Sequence, residues 1–143
     1  MEKGTFALCL QVDVVDSLVG CEKTDVNLGD NSGATPLFIA AQRGHAMLVD
    51  RLLLEQRVNV NRADGSGNTS LMTACSHGMY PEIVRSLVMH ENIEVNARNG
   101  SGSTALIEAA KMGHGKIVDI LVRIKSYSHH TSEASTTCTA YLL

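Results

Sequence analysis

Six histidines, four cysteines and two Gly-Ser-Gly triplets hold most of the chemical potential of this chain, and their spacing decides what each is able to do. His45 and His114 are the first choices for acid–base or metal chemistry, because an imidazole titrates near neutrality and ligates zinc. Both directly follow a glycine at equivalent places in separate segments, which favours a structural role. The pair His129-His130 holds a metal only with further donors, and its Ser/Thr-rich surroundings do not supply them. Gly65-Ser66-Gly67 and Gly100-Ser101-Gly102 superficially resemble phosphate-cradling loops. Neither completes G-x-G-x-x-G nor leads into Gly-Lys-Ser/Thr, so they read as turn glycines. Cys9, Cys21, Cys75 and Cys138 fall at irregular separations without a C-x-x-C, which speaks against zinc or a redox pair. Read as small buried hydrophobes, they fit a reducing compartment. No Ser/His/Asp or Cys/His set assembles from these residues; no catalytic, cofactor-binding or metal-ligating residue is assigned, and an enzyme is not expected.

Composition narrows the partners. The 143 residues are 44% hydrophobic, enough for one domain with an ordinary core, but aromatics make up only 3% and Trp is absent. Leu, Val, Ile, Ala and Met must fill the interior. With Lys+Arg 12 against Asp+Glu 15 and a formal net charge of −3, the chain lacks the basic excess that neutralises a phosphate backbone, so nucleic acid is not an expected partner. No long uncharged apolar window and no basic-then-apolar start are present, so neither a membrane span nor a secretory signal is expected. Asn68-Thr69-Ser70 and Asn99-Gly100-Ser101 match the N-glycosylation pattern, which without such a signal implies no glycan.

The elements that position these residues emerge from self-similarity. Asp30, Gly33, Thr35, Leu37, Ala40-Ala41, Gly44, Leu48-Val49 and Leu52-Leu53 define one segment. Asp64, Gly67, Thr69, Leu71, Ala74, Gly78, Ile83-Val84 and Leu87-Val88 repeat it. Asn99, Gly102, Thr104, Leu106, Ala109-Ala110, Gly113, Ile117-Val118 and Leu121-Val122 repeat it again. Thr69 follows Thr35 by 34 positions and Thr104 follows Thr69 by 35; the extra residue lies in Met79-Tyr80-Pro81-Glu82, where an inter-helix turn absorbs it. Asp25-Val26-Asn27, Asn59-Val60-Asn61 and Glu94-Val95-Asn96 precede the three segments.

Each part of the unit has a physical task. The three threonines stand where an N-cap hydroxyl accepts from a first helix, and Pro36 follows at the position that tolerates a missing N–H. Leu37, Ala40 and Ala41 share one helical face, where small side chains allow close approach. Gly44, Gly78 and Gly113 are predicted to end these helices. The paired aliphatics of the second helix form a stripe that faces both the first helix and the next unit. Asp30–Gly33, Asp64–Gly67 and Asn99–Gly102 are turn sequences.

The run Gly33-Ala34-Thr35-Pro36-Leu37-Phe38-Ile39-Ala40-Ala41-Gln42-Arg43-Gly44-His45, with Asp25-Val26-Asn27 ahead of it, resembles the ankyrin repeat, and the resemblance covers residues 25–125. It implies an all-α solenoid of stacked antiparallel helix pairs with projecting β-hairpin-like loops. The expected divisions are 1–29 as a partial or capping repeat, repeats at 30–63, 64–98 and 99–125, and 126–143 as a flexible Ser/Thr-rich tail or a truncated repeat. The tail contains Thr139-Ala140-Tyr141-Leu142, an echo of Thr104-Ala105-Leu106 placed 35 positions on. Phe38, Met72 and Ile107 stand where the family most often has a turn-tying histidine, so looser loops are expected. The reversed His77-Gly78 makes the middle repeat the least regular in sequence.

The resemblance further implies a protein-protein interaction module that uses its hairpin tips and the concave face of the helices. Its candidate positions are Gly29, Asn31, Ser32, Ala34, Gln42 and Arg43 on the first repeat, and Ala63, Gly65, Ser66, Asn68, Ser76 and His77 on the second. On the third they are Arg98, Gly100, Ser101, Ser103, Lys111 and Met112. Helical spacing adds Ile39, Thr73 and Glu108 beside them. The surface is small-residued and mildly basic, so the expected partner is a protein with an acidic segment. No cofactor is expected. The expected state is a monomer in the cytoplasm or nucleus. The alternative function is a structural spacer or a fragment of a larger multi-repeat scaffold.

Overall fold

A computed structural model describes residues 16–17 and 19–128, with backbone alone for 126–128. The helices are α1 (Pro36–Arg43), α2 (Ala46–Leu53), α3 (Ser70–His77), α4 (Pro81–Val88), α5 (Ala105–Lys111) and α6 (Gly115–Ser128). Ahead of them, residues 16, 17 and 19 are also helical.

The first helix of each pair begins as the spacing of threonines requires. Thr35, Thr69 and Thr104 adopt extended backbone, and their Oγ1 atoms accept from the N–H of Phe38, Met72 and Ile107 at 3.2, 3.3 and 3.4 Å. Each hydroxyl thereby satisfies one donor that a helix start leaves without a partner. Gly44 and Gly78 close α1 and α3 in the left-handed region, at φ 79° and 69°. In the third pair the helix stops one residue earlier, at Lys111, with Met112 as a right-handed cap before Gly113.

The helices pack in two rows. α1, α3 and α5 lie side by side, α2, α4 and α6 form the second row, and each pair is joined by its own α–α packing. The apolar stripe therefore faces inward along the whole stack. One continuous core runs from Val19 through Leu37, Leu52, Leu71, Leu87 and Ile117 to Leu121. A small satellite of Ala34, Phe38 and Ile39 adjoins the first turn. Val49, Leu52, Cys75, Val84, Leu87, Ala109 and Leu121 have no exposed surface. Among the described residues no buried side-chain nitrogen or oxygen lacks a hydrogen-bond partner. This is the layered, linear architecture that the repeat implies.

The middle pair, irregular in sequence, is regular in packing. Its extra residue makes Tyr80 the N-cap of α4, the place that His45 takes before α2. Pro81 then opens α4 and Glu82 lies in its first turn, both favourable at a helix N-terminus. The third pair differs at its far end, where α6 has 14 residues and α2 and α4 have 8 each.

Candidate protein-binding surface

Between the rows of helices and the preceding turns, each repeat projects a hairpin built on one Asx residue. Asp30 N–H donates to Ala34 O at 3.0 Å, Asp64 N–H to Asn68 O at 2.9 Å and Asn99 N–H to Ser103 O at 3.0 Å. Inside each loop the same Asx side chain accepts from two backbone donors. Asp30 Oδ1 takes Ser32 N–H and Ala34 N–H, Asp64 Oδ1 takes Ser66 and Asn68, and Asn99 Oδ1 takes Ser101 and Ser103. Phe38, Met72 and Ile107 lead one to expect looser loops. The structure ties all three turns by Asx bonding instead, and Phe38 and Met72 are buried.

The Ser32 hydroxyl also donates to Asp30 Oδ1 at 2.6 Å. These bonds hold the Asp30 carboxyl below its usual range, the Ser32 side chain contributing most and its backbone N–H next.

Adjacent hairpins are stitched to one another. Gly65 N–H donates to Ser32 O at 2.8 Å and Gly100 N–H to Ser66 O at 2.9 Å. This ladder needs bare backbone: a Cβ on Gly67 would come within 2.7 Å of Gly100 N. The tips therefore stand in one row at a fixed spacing.

Exposure sorts the candidate residues. Asn31, Ser32, Gln42, Arg43, Gly65, Ser66, His77, Arg98, Gly100, Ser101, Lys111 and Met112 are exposed, together with Ala63. Gly29, Asn68, Ser76 and Glu108 are half-buried. Ala34, Ile39, Thr73 and Ser103 are buried, so their side chains face the protein rather than solvent. Two of the cations that mark the surface as basic are engaged within their own repeat. Arg98 donates to Gly102 O at 2.8 Å, and Lys111 Nζ donates to Ser103 Oγ at 2.7 Å and pairs with Glu108 at 3.2 Å. Glu108 is held below the usual carboxylate range, by the Ser103 side chain first and Lys111 second.

Two further seams fix the spacing of the surface. In the segments ahead of the hairpins, Asn27 Nδ2 donates to Arg57 O at 2.7 Å while Asn27 Oδ1 accepts from Asn59 N–H at 2.6 Å. Asn61 repeats the clamp on Asn92 O at 2.7 Å and Glu94 N–H at 2.8 Å. At the first two α–α turns, a ring from the next repeat fills the space above the glycine. The Tyr80 ring covers Gly44, and the His114 ring covers Gly78. His114 Nε2–H donates to Ser76 O at 2.9 Å, which makes it a structural tie between repeats.

Arg57 went unnoticed in the sequence. Its guanidinium donates to the carbonyls of Val19, Glu22 and Thr24 and pairs with Glu55 at 3.0 Å, which ties the first described turn to the stack. Asp16 and Arg51 form a second ion pair across the same junction. A lone Arg carries no periodic signal, and its acceptors in the preceding segment are backbone atoms, so no sequence pattern marks that tie.

Among the described residues no three of His, Cys, Asp and Glu cluster as metal donors, and no helix is long and apolar enough to cross a membrane. What the geometry does build is a repeating ledge of backbone and small side chains, the form of a linear repeat protein. A family model described as ankyrin repeats (3 copies) matches residues 6–99 and 67–133. The chain belongs to the ankyrin-repeat family, whose members are generally protein-interaction modules. No curated protein matches it significantly.

Proposed function

We propose that this chain binds a partner protein through its exposed hairpin tips and the outward residues of α1, α3 and α5, acting as a monomer in the cytoplasm or nucleus. The observation that carries the reading is the ladder from Ser32 to Gly65 and from Ser66 to Gly100, which lines the tips up before any ligand arrives. A preformed row lowers the ordering cost of association. The tips are Asn31, Ser32, Gly65, Ser66, Gly100 and Ser101, small enough to let a peptide backbone approach. Arg43, His77, Arg98, Lys111 and Met112 border them, and the cations favour an acidic segment in the partner.

The test is affinity capture with mass spectrometry on the parent chain and on R43E/R98E/K111E, with circular dichroism as the folding control. The expected result is loss of a partner at unchanged helical signal. Retention of every partner by the folded variant overturns the reading. Because Arg98 and Lys111 also brace their own loop, R43E alone is the variant that leaves those bonds intact, and it is expected to weaken the same partner to a smaller degree.

A further inference from the structure

The third repeat has lost the cover that the first two receive. Position by position, Ala41 and Cys75 are 1% and 0% exposed, whereas their counterpart Ala110 is exposed. Phe38 and Met72 are 6% and 2% exposed against 39% for Ile107, and Val49 and Val84 are fully buried where Val118 is only half-buried. The glycines agree. A Cβ on Gly33 or Gly67 would meet the next hairpin and one on Gly44 or Gly78 would meet a ring, while one on Gly102 or Gly113 meets nothing within 4 Å. Asn96 stands where Asn27 and Asn61 clamp a following repeat, and no bond of that kind is formed by Asn96 among the described residues.

We propose that this face is covered by the chain's own C-terminal segment, residues 129–143, seated through Ala140, Tyr141 and Leu142. α6 delivers the chain to residue 128 beside the third repeat. Fifteen further residues reach up to roughly 50 Å when extended, well beyond the ~10 Å that separates packed helices. The register agrees as well. Thr139 follows Thr104 by the 35 positions that separate Thr104 from Thr69, so Tyr141 and Leu142 fall at the places of Leu37 and Phe38, 2% and 6% exposed in the first repeat. A polar Ser/Thr stretch ending in an apolar cluster supplies both a tether and the hydrophobic contact that Ile107 and Ala110 lack.

Amide hydrogen exchange followed by mass spectrometry tests this on the full chain and on Y141D/L142D, whose changes lie outside the stack. Exchange of peptides from 105–112 is expected to rise about ten-fold in the variant, with peptides from 70–88 unchanged. Equal exchange of 105–112 in both proteins overturns the proposal. So does protection that survives in the variant and grows with protein concentration, which would assign the face to a second copy.

Discussion

Two cysteines in the same short stack meet opposite surroundings. Cys75 lies in the core between repeats, and burial pushes its thiol up to about 12. Cys21 is exposed, and hydrogen bonding to Lys23 backbone and then the Thr24 side chain lowers its thiol below its ordinary value. Thiolate is the reactive form, so alkylation mapped by mass spectrometry is expected to label Cys21 in the folded protein and Cys75 only after unfolding. Equal labelling rates at the two sites would contradict this placement. Asp30 gives a pH prediction of definite sign. Its carboxyl is lowered from 3.8 by Ser32 and Ala34, so the contribution is present above that value and is lost as pH falls through the lower folded value. Protection of the Ser32 and Ala34 amides, taken relative to the intrinsic exchange rate at each pH, is expected to fall on acidification below 3.8, ahead of protection in α3. Asp30 was legible as a turn residue because an Asx turn is local. The ties that Arg57 makes to Val19, Glu22 and Thr24 and Tyr80 makes to Gly44 were not, since those groups lie in other repeats.

At the scale of the element, the threonine caps were legible through one short-range rule, and each is met by a hydroxyl bond three residues ahead. Replacing Thr69 by Ala is expected to cost about 1 kcal/mol in urea denaturation, the usual value of a lost N-cap. The hairpins give a sharper comparison. Gly67 and Gly102 share a positive φ, 81° and 78°, so Ala at either position carries a left-handed strain of about 1–2 kcal/mol. Only at Gly67 does the added methyl also press on the next hairpin. Gly67→Ala is therefore expected to lower the denaturation midpoint clearly further than Gly102→Ala, and equal shifts would mean that the ladder adds no stability. The ladder itself was not legible: its donors and acceptors are main-chain atoms, and the sequence shows only that small residues stand there. Spacing likewise marked the extra residue near Tyr80 as an insertion, but not that it carries a ring onto Gly44.

For the whole molecule, the interval of 34 and 35 residues made the solenoid readable, because every unit must hide the same stripe and only its neighbours are there to cover it. Reading the ledge was harder. Ala34 and Ser103 follow the exposed tips Asn31-Ser32 and Gly100-Ser101 by two residues in sequence but are themselves buried, and periodicity does not separate the two. The unbroken core makes a further prediction. Leu87 is fully buried on α4, which packs on α2, α3 and α6, so Leu87→Ala is expected to cost about 2–5 kcal/mol. Circular dichroism should show one shifted transition; two resolved steps would mean that the repeats unfold independently. The helix pairs are moreover pinned to their neighbours at both extremities, by main-chain rungs and asparagine clamps toward the hairpins and by the Tyr80 and His114 rings at the opposite turns. A column fastened along two opposite edges resists both shear and torsion. A guest docked on the proposed surface would consequently have to match a preset pitch, with most of the adjustment falling to the guest.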